Sequence, residues 1–355
     1  MGKHCRQILR RLMRPALSAA SVLLALCVAS DAAEVGANLE HASDIRWERF
    51  DTKTGRKIWD VTCKEASSKD GRNYAINEPK VQIRGSEYNM QVTAANGSIR
   101  REDERNNSLL LDGGVHVKIA DPAHTVMRTE KLQWLASKRV LQTESHVDVQ
   151  RTDISVSGTG MELEPQEQGR EVRLVRLNKD VKARISPKAS KAAIFSTISG
   201  KHESDDDKDA PPMIITSKGP MLIHRDTNVI SFSDRVVVQR GTLTLRCESL
   251  ELSVDVKARQ VKEVLCTGGM EAVDGENGVS GDSLSWDATS GLGEVMGTPG
   301  KLARTWRGAA TVSAPLIWLS SKERKVLWTG RAQIFAPPQG TENLLHFGAG
   351  PASKP

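Results

Sequence analysis

From residue 75 onward apolar residues recur at every second position, not every third or fourth, so the chain predicts short strands and no helices. Val115-His116-Val117-Lys118-Ile119, Val147-Asp148-Val149, Met161-Glu162-Leu163 and Leu250-Glu251-Leu252 each have one apolar and one polar edge. That is the alternation of antiparallel strands with one face buried and one in water. Asp112-Gly113-Gly114 and Asp274-Gly275 are turn-forming and read as breaks between strands.

One element recurs, an apolar-x-apolar triplet that often ends in Trp. It appears as Leu132-Gln133-Trp134, Met161-Glu162-Leu163, Met221-Leu222-Ile223, Leu250-Glu251-Leu252, Leu284-Ser285-Trp286 and Leu316-Ile317-Trp318. Successive triplets begin 29 to 34 residues apart, with one interval of 60 that spans two periods. Each is followed by a second strand, beginning at Val140, Val172, Val229, Val261, Val295 and Val326. A third short strand then starts at Val147, Val181, Val236, Met270, Leu302 and Ala332. A unit of three short strands cannot bury its apolar face alone, so the units must stack.

The double interval contains residues 186–212, where Ser, Lys and Asp dominate and Pro211-Pro212 closes the stretch. It reads as a linker or long loop between two modules, residues 34–185 and 213–338, with 339–355 as a Gly- and Pro-containing tail. The expected fold is all-β, an elongated antiparallel β-jelly-roll or solenoid of two modules. Its inward positions are Val115, Val117, Leu132, Trp134, Val147, Val149, Met161 and Leu163 in the first module. In the second they are Met221, Ile223, Val236, Val238, Leu250, Leu252, Leu284, Trp286, Leu316 and Trp318. Such side chains either pack solidly on one another or line an apolar slot; sequence leaves both open.

The ends and the charge alter this picture. Residues 1–33 join the cations Lys3, Arg6, Arg10, Arg11 and Arg14 to an uncharged stretch containing Val22-Leu23-Leu24-Ala25-Leu26, then small residues. This is a signal peptide or a signal-anchor, and it places the remainder outside the cytoplasm. The same segment carries most of the net charge of +6, so the rest is nearly neutral and a dedicated nucleic-acid binder is excluded. Beyond it three cysteines remain, Cys63, Cys247 and Cys266. Cys247 and Cys266 are either bridged or two buried thiols, and no spacing suggests zinc.

Catalytic patterns are sparse. Gly281-Asp282-Ser283-Leu284 spells the nucleophile block of GDSL esterases, whose chemistry also needs an Asp-x-x-His downstream. The one later histidine, His346, has no Asp three residues before it, and Asp121-Pro122-Ala123-His124 lies upstream. An esterase acting through Ser283 and a ligand-free secreted spacer are the alternatives from other classes. No metal or cofactor is expected. Lys138, Arg139, Arg173 and Arg235 could meet phosphates at a rim, although solvated turn charge is the commoner role.

Several stretches together resemble a known family. Glu78-Pro79-Lys80-Val81, Ala94-Ala95-Asn96-Gly97, Leu111-Asp112-Gly113-Gly114-Val115, Thr129-Glu130-Lys131-Leu132-Gln133-Trp134, Leu141-Gln142-Thr143 and Ser157-Gly158-Thr159-Gly160-Met161 are similar to LptC, the periplasmic bridge component of lipopolysaccharide export. Gly55 and Trp59 match the start of that domain. Residues 213–336 resemble the OstA/LptA module, through Cys247-Glu248-Ser249-Leu250, Gly281-Asp282-Ser283-Leu284 and the turn Gly297-Thr298-Pro299-Gly300. The resemblance implies a non-enzymatic, periplasmic or membrane-anchored protein that binds lipopolysaccharide by its acyl chains and passes it toward the outer membrane. It implies as partners an inner-membrane ABC transporter, which supplies the energy, and other such modules joined by edge-strand addition.

Overall fold

The computed structural model describes residues 41–335, apart from 51–54, 56, 69, 71, 85–88, 102–106, 121–123, 136, 139, 166–171, 187–210, 256–259, 322 and 324. The segment 1–33, most of the 186–212 linker, the 339–355 tail and His346 lie outside them. No described segment is helical, and no described helix is long and apolar enough to cross a membrane. The expected all-β, antiparallel architecture holds throughout.

The chain divides into two compact units, one of residues up to Lys179 with Leu222–Asp226, the other of Asp180–Met221 and residues from Thr227 on. The first contains β1 (Ala42–Phe50), β2 (Lys57–Ser68), β3 (Asn73–Asn77), β4 (Lys80–Arg84), β5 (Asn89–Thr93), β6 (Asn96–Arg101), β7 (Asn107–Ala120), β8 (Val126–Leu135), β9 (Val140–Gln150) and β10 (Ile154–Pro165). β11 (Val172–Ile185) contributes to both. The second holds β12 (Met213–Ser217), part of β13 (Met221–His224), β14 (Val229–Arg240), β15 (Leu243–Asp255), β16 (Gln260–Asp274) and β17 (Asn277–Asp287). It ends with β18 (Leu292–Met296), β19 (Ala303–Arg307), β20 (Ala310–Ala314), β21 (Leu316–Ser320), β22 (Lys325–Thr329) and β23 (Gln333–Phe335).

Pairing register makes the inner faces legible. In the first unit one apolar row crosses eight strands as Trp47, Val61, Val81, Val92, Val117, Met127, Val149 and Val156. The neighbouring row, one residue over, reads Arg46, Thr62, Lys80, Thr93, His116, Arg128, Asp148 and Ser157. A period of two sends the first row to the core and the second to water. A second apolar row, Ile99, Leu109, Trp134, Leu141 and Leu163, lies on the other halves of the long strands.

The long strands serve both sets of rows by bending at bulges. Register shifts occur between Asp112 and Val115, Thr129 and Gln133, and Thr159 and Met161. Asp112-Gly113-Gly114 is therefore not a turn between strands but a bulge inside β7, with Gly113 at φ 74° and Gly114 at φ 88°. Left-handed backbone there suits glycine, and the added residue bends and twists the strand. The same device corrects the strand count. Val140 and Val147 lie on one strand, as do Val172 and Val181, Val229 and Val236, and Val261 and Met270. Only in the last two repeats do the second and third segments separate.

The second unit repeats the plan. Its rows run Phe232, Leu250, Cys266, Leu284, Val295, Ile317 and Trp328, and Ile230, Leu252, Val264, Trp286, Gly293, Leu319 and Val326. A further row runs Ala183, Ile215, Val238, Leu245, Ala272, Val279, Thr305 and Val312. Asp274-Gly275 is a true hairpin turn between β16 and β17.

Candidate functional site

Most of the inward positions read from the sequence are buried, and they fall into the shared rows just described. Val115, Val117, Leu132, Trp134, Val147, Met161 and Leu163 lie inside the first unit, and Val236, Val238, Leu250, Leu284 and Trp286 inside the second; Met221 is buried too. Val149, Ile223 and Leu252 are half-buried.

Leu316 and Trp318 depart from the expected phase. Val295 pairs with Ile317, and it is Ile317 and Leu319 that are 0% and 2% exposed. Leu316 faces the same way as Met296, and Trp318 pairs with Glu294 and Leu327. Residues 316–319 are all apolar, so a period of two has no phase there, and the ladder to β18 sets it instead. Sequence reading also missed Ile215, Ala272, Val279 and Val312, although alternation across Ala310-Thr311-Val312-Ser313 marks the last of them.

Two inner-face groups are polar. The indole N–H of Trp134 and that of Trp286 are buried with no hydrogen-bond partner. The Trp286 ring lies over Gly293, where a Cβ would fall 2.4 Å from its Cε3. Glycine at 293 is therefore what admits the indole.

Cys63, Cys247 and Cys266 are buried free thiols, which resolves the choice left open by the sequence. Donation of a hydrogen bond to Cys247, with burial, pushes the Cys266 thiol well above its ordinary range, the same bond lowers Cys247, and burial pushes Cys63 up. Low thiolate content suppresses reactivity at Cys63 and Cys266, and burial restricts access to all three. A maleimide is expected to leave all three unlabelled in native protein and to label them in denaturant, as resolved by peptide mass spectrometry. Native labelling of Cys247 would contradict the inward phase of β15.

Ser283 sits mid-strand on the outer face of β17, opposite Thr267 on β16 and Met296 on β18. Ladder pairing accounts for that position without a catalytic role. No group of three or more His, Cys, Asp or Glu side chains that could hold a metal occurs among the described residues.

Strand edges are the remaining feature. Among the described residues β1 pairs with β2, β22 with β21 and β23 with β20, each on one side. Phe335 on β23 is 67% exposed and Phe50 at the end of β1 is 48% exposed.

No curated protein matches the chain. Among solved structures it is similar to that of LptH of Pseudomonas aeruginosa, described as the LptA-homologous periplasmic component of the conserved lipopolysaccharide transport device. Identity is 13%, the TM-score is 0.30, and the match covers 36% of this chain and 96% of that one. Residues 22–191 match the model of the lipopolysaccharide-assembly, LptC-related family. Over those residues, just under half of its length, the chain is similar to the LptC-related family.

Proposed function

We propose that each unit binds lipopolysaccharide by sheltering its acyl chains between its inner faces, and that the protein passes the lipid on as a bridge. The observation that carries this reading is the set of apolar rows, one of them eight strands wide in the first unit, in a chain whose residues 22–191 match the LptC-related family. Exposing a chain of about twelve to fourteen carbons to water costs on the order of 10 kcal/mol, at ~0.8 kcal/mol per methylene. A lipid with several such chains needs an apolar escort, and rows of Val, Leu, Met and Trp supply one. Passage in one direction needs energy, because a slot of uniform affinity moves nothing. That energy comes from an inner-membrane ABC transporter. The open edges at β1, β22 and β23 are where further OstA/LptA-like modules add strands, satisfying backbone groups that otherwise face water.

Photo-crosslinkers placed at Trp134, Val149, Leu252 and Trp286 in cells making labelled lipopolysaccharide test the reading. Inward positions are expected to give lipid adducts, and the outward Gln133 and Glu251 none. Equal yield from both sets would refute it.

A further inference from the structure

The two units share a five-residue motif, Val147-Asp148-Val149-Gln150-Arg151 and Val236-Val237-Val238-Gln239-Arg240. The first copy ends β9 and opens its hairpin to β10; the second ends β14 and opens its hairpin to β15. Alternation carries each arginine to the face of its two inner valines, of which Val147, Val236 and Val238 are 0%, 1% and 2% exposed. Both arginines are themselves buried: the Arg151 side chain is 6% exposed and Arg240 is 9% exposed. Each stands one inner position beyond the last apolar row, about 7 Å further along its strand.

Arg151 is ion-paired with Asp153, but not through a hydrogen bond at Nε. Its Nε lies 3.4 Å from Asp153 Oδ1, yet neither atom has a hydrogen-bond partner, and Asp153 is 41% exposed. A guanidinium cannot discharge itself by losing its proton, so a buried Nε–H without an acceptor is a standing cost that an incoming anion relieves. Of the four rim cations expected from the sequence, Arg173 is paired with Glu164 and Arg235 with Asp234, while Arg139 lies outside the described residues. A phosphate fits the planar fork of a guanidinium through two parallel hydrogen bonds.

We infer that Arg151 and its counterpart Arg240 are anion posts at the mouths of the two inner faces, each gripping a phosphate of a lipid whose chains lie along the adjoining apolar rows. This rests on the acyl-chain reading above and adds to it a headgroup contact and a polarity of binding, chains inward and phosphate at the arginine end.

Full-length protein titrated with tetradecyl phosphate, tetradecyl maltoside and inorganic phosphate tests the inference. Wild type is expected to prefer tetradecyl phosphate over the maltoside by about tenfold or more, and to bind inorganic phosphate far more weakly. Arg151→Met and Arg240→Met each reduce that preference and together abolish it, with maltoside affinity unchanged; Arg151→Lys keeps part of it. A preference equal in wild type and double variant overturns the posts while leaving the acyl-chain reading standing. Inorganic phosphate binding as tightly as the alkyl phosphate overturns their assignment to lipid. Failure of both amphiphiles to bind wild type removes the acyl-chain reading and the posts with it. Should the methionine variants not fold, the wild-type preference decides: it is expected to shrink as salt rises, and a salt-independent preference overturns the posts.

Discussion

Trp286→Ala is expected to destabilise the second unit by about 3–5 kcal/mol, and Trp318→Ala by about 1 kcal/mol. The letters are the same and both residues end a repeated triplet, but the ladder separates them. Trp286 is 1% exposed, in a row between Val264 and Gly293, with its ring on the glycine. Truncation there leaves a cavity that Gly293 cannot fill. Trp318 is half-buried on the opposite face of its strand, beside Leu327. One term runs the other way: the buried Trp286 N–H has no acceptor, and removing an orphan donor returns about 1–3 kcal/mol. Trp286→Phe, which keeps much of the ring and deletes the donor, is therefore expected to cost under about 2 kcal/mol. Urea midpoints at constant slope, followed through the remaining tryptophans, check all three. Equal costs for alanine at 286 and 318 would contradict the inverted phase of the last repeat.

Why one triplet was placed correctly and the other not follows from what a period of two can encode. Leu284-Ser285-Trp286 and Leu250-Glu251-Leu252 have a polar middle residue, so water and core are distinguished within three positions. Leu316-Ile317-Trp318-Leu319 has no polar residue, and only pairing with β18 decides its face. The bulges were hidden for the opposite reason. Gly113-Gly114 carries the composition of a turn, and local sequence cannot say whether the chain reverses there or merely bends. Asp180, Asp234 and Arg235, also in the left-handed region, lie within β11 and β14 where the sequence suggested a new strand. The fold class survives such errors, because splitting a bent strand in two leaves its alternation intact. The paired arginines escaped notice because each follows a Gln at the end of a strand and resembles a solvated turn charge. Their burial depends on the hairpin and face that the ladder gives them, which is tertiary information.

The tightest approach to backbone atoms among the described glycines of the second unit is at Gly297, whose own backbone angles are ordinary. Gly297 joins β18 to the turn before β19, and its N–H donates to the Pro315 carbonyl at 2.9 Å. A Cβ there would lie 2.4 Å from Ala303 N, 2.5 Å from Lys301 O and 2.7 Å from Leu302 C. All three are backbone atoms, so no side-chain rotation relieves the collision. The turn is pinned in addition by the reciprocal pair Thr298 N to Lys301 O and Lys301 N to Thr298 O, each 2.9 Å. Gly297→Ala is therefore expected to cost about 3–4 kcal/mol, at the upper end for a substitution of one methyl group. Gly300 provides the control three residues away. Its φ of 88° disfavours a side chain, but nothing lies within 4 Å of its Cβ position, so Gly300→Ala is expected to cost about 1–2 kcal/mol through backbone strain alone. The two are compared by urea unfolding of the second unit. Amide exchange is the second readout: opening this turn frees β19, so protection at Thr305, which pairs with Val279 and Val312, is expected to fall in Gly297→Ala and persist in Gly300→Ala. If the two variants were equally stable, backbone crowding would not be what fixes the turn, and the register that brings Ile317 and Leu319 inward would need another cause.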